Sequence, residues 1–304
     1  MKEAEVISFI NMKGGVGKTT LTKEIGFYLA DQLKKKVLLI DIDPQINLTQ
    51  SMFKYFNYAQ SEQIAKRIKI KDNKNTNLKV SEASIKNIFN GQLSERNPTS
   101  IENAILSFPN TSLDLIPGEL GLEFITRNLN SNQLENGIYN FIDDNNLKDK
   151  YDYILIDCPP TYSSYTVAAL KPSNFYIIPV RPEAYSILGI DMLQKVIEQI
   201  ETDNKLYFRD KKLTNLGIII TDVKRKGTES KGIENLIEDI KSSEVLKRNK
   251  IYVFKNMFQH NSSLQKNIAY VISNSNSHKS KDNLKNIVNE MIKRINDARD
   301  RNNY

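Results

Sequence analysis

Cysteine and histidine are scarce in this chain of 304 residues. Cys158 is the only cysteine, which excludes an internal disulfide framework and a cysteine-rich zinc or iron–sulfur site within one chain. The two histidines, His260 and His278, give little basis for a histidine-based metal site. No apolar run approaches the roughly 18–20 residues that a membrane-spanning helix needs. Residues 1–6 are polar and lead straight into a strand pattern, so we expect no signal peptide and a soluble, cytosolic protein.

The composition allows a folded core and a basic surface. Apolar residues make up 39% of the chain and charged residues 26%, which argues against wholesale disorder. The 43 basic and 36 acidic residues give a formal net charge of +7. Such an excess permits binding to nucleic acid or anionic lipid but does not require it. The length suits either two domains or one large α/β domain.

The first forty residues read as strand, loop, helix and strand. Residues 6–10 are β-rich, and an apolar run at 37–40 is typical of a strand buried on both faces. Between them, Leu21, Ile25 and Leu29 recur at helical spacing. The pattern therefore predicts a βαβ unit, whose two strands are parallel.

The rest of the chain continues this alternation. Strands are predicted at 113–116, 153–156, 174–180, 216–220 and 251–254, and helices at 81–89, 120–129, 134–142 and 187–200. The helix at 187–200 carries an apolar face that we expect to be buried, made of Leu188, Met192, Leu193, Val196, Ile197 and Ile200. A last helix carries one apolar stripe, made of Leu284, Ile287, Val288, Met291, Ile292 and Ile295. The simplest account is one doubly wound α/β domain over 1–304, with a mostly parallel central sheet flanked by helices and a variable polar insertion at about 57–110.

A glycine-rich loop follows the first strand and opens the first helix. Glycines allow the backbone to turn so that successive N–H groups point at phosphate oxygens, and the helix N-terminus adds positive charge. Lys18 would reach the β- and γ-phosphates, and the Thr19 hydroxyl would bind Mg²⁺. The general phosphate-loop pattern needs a glycine where this chain has Met12, so that general pattern is not met. A glycine turn with exposed lysines is the alternative, but it does not account for the flanking strand and helix.

Three carboxylates follow predicted strands. Strand alternation puts Asp41 and Asp43 on the same side at the carboxyl end of the sheet, where ligands bind in open α/β folds. Asp157 ends the apolar strand at 153–156, as a carboxylate that faces Mg²⁺ would. Without the glycine loop, solvated carboxylates that cap a turn would explain Asp41 and Asp43 equally well. Cys158 is better explained as a small buried apolar residue than as a nucleophile.

Together these motifs resemble those of a known superfamily. The variant Lys-Gly-Gly-x-Gly-Lys-Thr at 13–19 resembles the deviant Walker A motif of the ParA/MinD superfamily. Asp-x-Asp-Pro-Gln-x-Asn at 41–47 and Asp-x-Pro-Pro at 157–160 follow in the order that the superfamily has. The resemblance covers roughly residues 4–60 and 111–222. It implies a P-loop ATPase fold with ATP and Mg²⁺ as cofactors.

The resemblance also implies roles for single residues. The nucleotide would be bound by Lys13, Gly14, Gly15, Val16, Gly17, Lys18, Thr19, Thr20, Pro182 and Thr221. Catalysis would rest on Lys13, Lys18 and Asp43, with Asp43 activating water. Mg²⁺ would be held by Thr19, Asp41 and Asp157, the carboxylates acting through water. In the superfamily, the lysine at the place of Lys13 crosses a dimer interface and touches the partner's nucleotide.

The leading functional expectation is a ParA-type DNA partition ATPase with slow, partner-stimulated hydrolysis. Such proteins form an ATP-dependent homodimer, bind DNA without sequence preference, and are released when a ParB-type partner stimulates hydrolysis. The basic cluster Lys224, Arg225 and Lys226 is a candidate DNA contact, although a solvated loop explains it equally well. The protein would then be cytoplasmic and nucleoid-associated.

Two other functional classes share parts of this pattern. A MinD-like membrane-cycling ATPase needs a C-terminal amphipathic helix with bulky apolar anchors. The stripe at 284–295 lacks Phe and Trp, so we expect a core-packing helix there and membrane binding is disfavoured. A relative of nitrogenase iron protein needs two cysteines per subunit, which Cys158 alone does not provide.

Overall fold

The computed structural model describes residues 3–71, 78–91, 100–209, 212–224 and 230–302. The strands within these ranges are β1 (Glu5–Phe9), β2 (Val37–Asp41), β3 (Tyr58–Ala59), β4 (Lys79–Val80), β5 (Leu106–Ser107), β6 (Leu113–Ile116), β7 (Tyr153–Asp157), β8 (Phe175–Val180) and β9 (Thr214–Ile220). Seven of these described strands form a central sheet in the order β5-β6-β2-β7-β1-β8-β9, and β3 and β4 form a separate pair. Only β5 runs antiparallel to its neighbour in the central sheet, so the predicted mostly parallel sheet is confirmed.

Helices cover the connections between these strands. Those in the described ranges are α1 (Lys18–Phe27), α2 (Asn47–Phe56), α3 (Glu62–Lys71), α4 (Ile85–Gly91), α5 (Ile101–Ala104), α6 (Leu122–Thr126), α7 (Ser131–Asp144), α8 (Leu147–Lys150), α9 (Ser164–Leu170), α10 (Ser186–Asp203), α11 (Lys205–Phe208), α12 (Ser230–Ser242), α13 (Glu244–Arg248), α14 (Ser262–Lys266) and α15 (His278–Asn302). A π-helical turn, Tyr28–Gln32, continues α1.

The central strands are buried on both faces. In β2, Leu38 and Ile40 contact one core layer, whereas Val37 and Leu39 contact a second layer across the sheet. This two-sided burial is why the sequence there is a continuous apolar run rather than an alternating one. The sheet is therefore a rigid platform whose carboxyl edge carries the loops described below.

The first helix lies close against this platform. At Gly26 of α1, an added Cβ would lie 2.7 Å from Cδ2 of Leu39 on β2. A larger residue would push α1 away from the sheet. Because α1 starts directly after the glycine loop, its close packing fixes where that loop lies.

The apolar face of α10 differs from the one predicted. Leu188 and Met192 are 58% and 52% exposed, so the prediction that they are buried is wrong. The buried residues of α10 are Ser186, Ile190, Leu193, Gln194, Ile197 and Ile200, so the predicted burial is confirmed for Leu193, Ile197 and Ile200. Apolar residues surround more of this helix than one face, and the sequence pattern could not tell which of them meet the sheet.

Residues 251–254 do not form the predicted last strand. They run beside β9, where Val253 makes an isolated bridge to Ile218. At Gly217, φ is +131° and an added Cβ would lie 2.6 Å from the carbonyl oxygen of Tyr252. The ladder between β8 and β9 also shifts register there, so β9 is too distorted to pair regularly on its outer side.

The last helix packs as predicted. The side chains of Leu284, Ile287, Val288, Met291 and Ile295 on α15 are almost completely buried in the second core layer. This stripe is therefore occupied by the protein's own core. Among the described residues, no helix is long and apolar enough to cross a membrane.

The region predicted as a polar insertion contains several short elements. Its described parts hold β3, β4 and β5 together with the helices α3, α4 and α5. The most polar stretch, 72–77, lies outside the described residues.

Candidate functional site

The glycine loop lies between β1 and α1, as predicted. Gly15 and Gly17 have φ values of +72° and +92°, in the left-handed region that glycine adopts without strain. Gly17 is the N-cap residue of α1. A Cβ added at Gly14 or Gly15 would meet no atom within 4 Å, so the loop backbone faces open space.

That open space is a cavity of about 400 Å³. Its loop-side wall consists of Gly14, Gly15, Val16, Gly17, Lys18, Thr19 and Thr20. Asp43, Gln45, Asn47 and Ser51 line another side, which follows β2. The lining also includes apolar and amide side chains from the C-terminal part of the chain, namely Phe258, Gln259, Asn261, Leu264, Gln265 and Ile268.

Lys18 lies folded against the loop. Its Nζ donates to the backbone carbonyls of Asn11 and Lys13 at 3.0 and 3.1 Å. Burial lowers the pKa of Lys18, and the nearby carboxylate of Asp157 opposes that shift. The ammonium is thus held beside the cavity by two neutral carbonyl groups, and phosphate oxygens, which are charged, would bind it more strongly.

Asp157 lies beside Lys18, at the end of β7. It is fully buried, and no hydrogen bond of ordinary geometry reaches either carboxylate oxygen within the described part of the chain. Burial raises its pKa, and the neighbouring Asp41 adds to the shift, whereas the Thr19 hydroxyl and Lys18 favour the charged form. Two buried oxygens without partners are costly unless a cation or water satisfies them.

Asp41 and Asp43 differ in their surroundings. Oδ2 of Asp41 accepts hydrogen bonds from the backbone N–H and the hydroxyl of Thr49, at 2.8 and 2.7 Å. The Thr49 oxygen in turn accepts from the N–H of Gly118 at 2.7 Å. Burial raises the pKa of Asp41 to about 7. Asp41 therefore anchors the start of α2, whereas Asp43 lines the cavity and accepts from the N–H of Gln45 at 3.0 Å.

An ion-pair chain crosses the mouth of the cavity. Nζ of Lys13 pairs with Glu183 of the same chain, and both side chains are about 40% exposed. Arg181 lies 3.6 Å from Glu183 and donates to Asp222 at 2.6 Å. His260 also contacts Asp222, with Nδ1 2.5 Å from Oδ1. The loop after β1 is thereby linked to the loops after β8 and β9.

The chain is similar to known proteins over most of its length. A family model described as an AAA domain matches residues 4–210. An uncharacterized protein of Methanocaldococcus jannaschii is 32% identical over 239 residues, which cover 78% of this chain and 79% of that protein. The sporulation initiation inhibitor protein Soj of Bacillus subtilis is 29% identical over 73% of this chain and 79% of Soj.

The chain belongs to this AAA domain family, within the ParA/MinD superfamily of P-loop ATPases.

A solved structure has the same fold. It is that of a proposed plasmid partition protein from Borrelia burgdorferi bound to AMPPNP, with a TM-score of 0.66 and 22% identity. The alignment covers 96% of this chain and 99% of that one. At this level of identity the likeness establishes the fold and nothing finer.

The superfamily motifs meet at one edge of the sheet, although not every predicted residue lines the cavity. Residues 14–20, Asp43 and Thr221 do line it. Asp41 and Asp157 lie beneath the lining as paired neighbours on adjacent strands. Pro182 is buried outside the lining, and Lys13, partly exposed and paired with Glu183, is not part of the lining either.

Of the three residues predicted to contact DNA, the structure describes only Lys224. Lys224 is exposed just beyond the carboxyl end of β9. Arg225 and Lys226 lie outside the described residues. Among the residues that are described, no group of three or more His, Cys, Asp or Glu side chains is arranged to hold a metal ion directly.

Several contacts were not anticipated from the sequence. The Thr221 hydroxyl donates to the carbonyl of Val16 at 2.7 Å, so this residue braces the glycine loop as well as lining the cavity. Glu183 and Asp222 had no assigned role. No local pattern could have revealed these contacts, because Lys13 and Glu183 are 170 residues apart, and Thr221 and Val16 are 205 apart.

Proposed function

We propose that this protein is a DNA partition ATPase. Two copies would bind ATP with Mg²⁺, dimerise, coat DNA without sequence preference, and leave it when a ParB-type partner stimulates slow hydrolysis. The observation that carries the proposal is the glycine loop with Lys18 on one side and, on the other, the buried carboxylate of Asp157 beside the Thr19 hydroxyl. Backbone N–H groups, an ammonium and a cation-seeking carboxylate around one cavity suit a magnesium-bound polyphosphate.

The residues present fit both cofactors. The open face of Gly14 and Gly15 gives phosphate oxygens direct access to the loop backbone. Thr19 would hold the magnesium ion, with Asp157 and Asp41 acting through water. Once bound, the ion neutralises charge on the phosphate oxygens. Lys18 would exchange its two carbonyl partners for phosphate oxygens, and Asp43, already in the cavity wall, would orient the attacking water.

An exposed apolar surface supports self-association. Six large side chains on or just after the loops that follow β6, β7 and β8 are between 49% and 76% exposed, namely Leu120, Phe124, Tyr162, Tyr185, Leu188 and Met192. They follow the carboxyl ends of their strands, as does Lys13 after β1. Exposed apolar side chains that collect on one edge are typical of a protein interface. A second copy placed there would bring its own Lys13 toward the nucleotide of the first.

The DNA part of the proposal rests on charge. The chain has a net charge of +7, and Lys224 is exposed beyond the end of β9. Phosphate contacts from such residues give affinity that falls steeply with salt and does not depend on sequence. The likeness to the chromosome-partitioning ATPase Soj of Treponema pallidum, 28% identical over 198 residues, supports partition as the cellular task.

A gel-shift assay with ATP, ADP or no nucleotide tests the proposal. We expect DNA retardation with ATP alone, lost gradually as the salt concentration rises. Lys18→Ala should abolish nucleotide binding, whereas Asp43→Ala should bind ATP, dimerise and remain on DNA because it hydrolyses poorly. Equal retardation without nucleotide would contradict the ATP-dependent switch.

Lys13→Ala separates nucleotide binding from dimerisation. This variant should bind ATP with near-normal affinity yet sediment as a monomer and fail to retard DNA. Its matched control is Lys34→Ala, a loop lysine that is exposed away from the cavity lining and should leave both properties unchanged. A normal ATP-dependent dimer of Lys13→Ala would refute the proposed role of Lys13.

A further inference from the structure

A buried ion pair lies one helical turn beyond the glycine loop. Lys23 and Glu24 on α1 have side chains only 7% and 0% exposed, and Nζ lies 3.2 Å from Oε1. Lysine and glutamate are seldom buried this deeply, and an ion pair must recover a large desolvation cost through further hydrogen bonds. The partners of these two residues therefore indicate what the pair does.

Both charges bind the backbone of one segment, residues 268–272. Lys23 Nζ donates to the carbonyl of Tyr270 at 2.7 Å, and Oε2 of Glu24 accepts from the N–H of Ile272 at 2.8 Å. Ser51, on α2, donates to the carbonyl of Ile268 at 2.6 Å. We call these three side chains, Lys23, Glu24 and Ser51, the clamp.

The clamped segment contributes to the cavity lining. Ile268 lines the cavity together with Phe258 and Leu264, and the amide groups of Gln259 and Gln265 belong to the same lining. A flat heteroaromatic ring needs this mixture of apolar contact and a few amide hydrogen bonds. The phosphate-loop residues line the same cavity, so a nucleotide bound there by its phosphates would have its base within reach of these apolar and amide groups.

The part of the chain that the clamp holds has little regular secondary structure. The short helix α14 has only five residues, and an irregular stretch joins it to α15. Ordering such a stretch at the moment of binding costs conformational entropy. Side chains that hold it beforehand remove that cost from ligand binding.

We propose that the clamp positions the base-binding wall, so that Lys23, Glu24 and Ser51 set the affinity for the base without contacting the phosphates. Lys23 and Ser51 line the cavity, but their side-chain polar atoms already donate hydrogen bonds to carbonyl groups of the 268–272 segment. They act as positioning residues. The inference rests on the nucleotide-binding function proposed above.

The test compares a ligand that has a base with one that lacks it. Calorimetry measures binding of ADP and of inorganic tripolyphosphate, both with Mg²⁺, to the full chain and to Ser51→Ala. Ser51→Ala removes one hydroxyl from the clamp and should fold normally. Loss of one such hydrogen bond should weaken ADP binding by about 3- to 10-fold and leave tripolyphosphate binding within about twofold.

The double variant Lys23→Met with Glu24→Gln is the stronger perturbation. It removes both charges together, so that neither remains buried and unpaired. We expect a loss of ADP affinity of at least about tenfold with tripolyphosphate affinity retained. The matched control is Lys66→Met with Glu62→Gln, which makes the same chemical changes on the exposed surface of α3 and should alter neither affinity.

The outcomes separate the two proposals. Selective loss of ADP binding in Ser51→Ala supports the clamp. Unchanged ADP binding, or an equal loss for both ligands, overturns the clamp and leaves nucleotide binding standing. If the unchanged protein binds neither ADP nor tripolyphosphate, the proposed function itself fails.

Discussion

Replacing Thr221 with valine should loosen the glycine loop. The Thr221 hydroxyl donates to the carbonyl of Val16 at 2.7 Å, and the side chain is almost fully buried. A valine at this position keeps the methyl group, Cγ2. In the unchanged protein that methyl group lies 3.5 Å from where a Cβ added at Gly17 would be. It replaces the donor with a methyl group, and a buried carbonyl left without a partner costs about 1–3 kcal/mol. If about half of this cost falls on the ordered loop, nucleotide affinity should drop by about 2- to 12-fold.

Calorimetric titration with ADP and Mg²⁺ measures this loss, and urea unfolding measures the accompanying loss of stability. Thr221→Ser is the matched control, because it keeps the hydroxyl and removes the methyl group. We expect Thr221→Val to bind weakly and Thr221→Ser to bind almost as the unchanged protein does. The reasoning fails if Thr221→Val binds ADP normally, or if Thr221→Ser loses as much affinity.

The remaining predictions concern Asp41, Glu183 and the apolar edge. Burial raises the pKa of Asp41 from 3.8 to about 7, so the native state holds a proton that the unfolded state releases. This stabilisation is complete below about pH 4 and is lost as the pH rises through 7, so the unfolding free energy of the unchanged protein relative to Asp41→Asn should fall by about 4 kcal/mol in urea titrations. Glu183→Gln frees Lys13 from an exposed ion pair worth about 0.2–1 kcal/mol, and sedimentation with ATP should show a dimer strengthened by up to about fivefold for each of its two Lys13 residues. Leu188→Gln combined with Met192→Gln should weaken that dimer in the same assay, while the unfolding free energy changes by less than about 0.5 kcal/mol.

Each of these has a result that would contradict it. A pH-independent difference between the unchanged protein and Asp41→Asn would mean that Asp41 is already charged in the native state. A weaker dimer in Glu183→Gln would mean that Glu183 supports the partner contact instead of competing with it. An unaffected dimer in the Leu188 and Met192 variant would move the interface away from α10.

The sequence predicted those parts of the site that depend on neighbours in the chain. The loop at 13–20 and the carboxylates Asp43 and Asp157 follow strands whose burial on both faces makes them easy to recognise. Because parallel strands share one carboxyl edge, local patterns sufficed to bring these residues together.

Other features depend on packing between distant segments. Nothing local distinguishes Leu188, which is exposed, from Leu193, which is buried on the same helix. The bracing of Val16 by Thr221 and the pairing of Lys13 with Glu183 depend on how β8 and β9 lie beside β1. The predicted strand at 251–254 failed for a related reason, since the distortion at Gly217 is set by its tertiary contacts with Tyr252.

The irregular segment beside β9 has a consequence for how copies of this protein can assemble. Backbone groups of Tyr252, Phe254 and Phe258 already occupy hydrogen-bonding positions along β9. At the opposite margin, β5 contributes only two residues. Neither border offers a neighbouring molecule a long open ladder to extend, so sheet-to-sheet polymerisation is blocked. Any filament or array of this ATPase must therefore be built through side chains and loops.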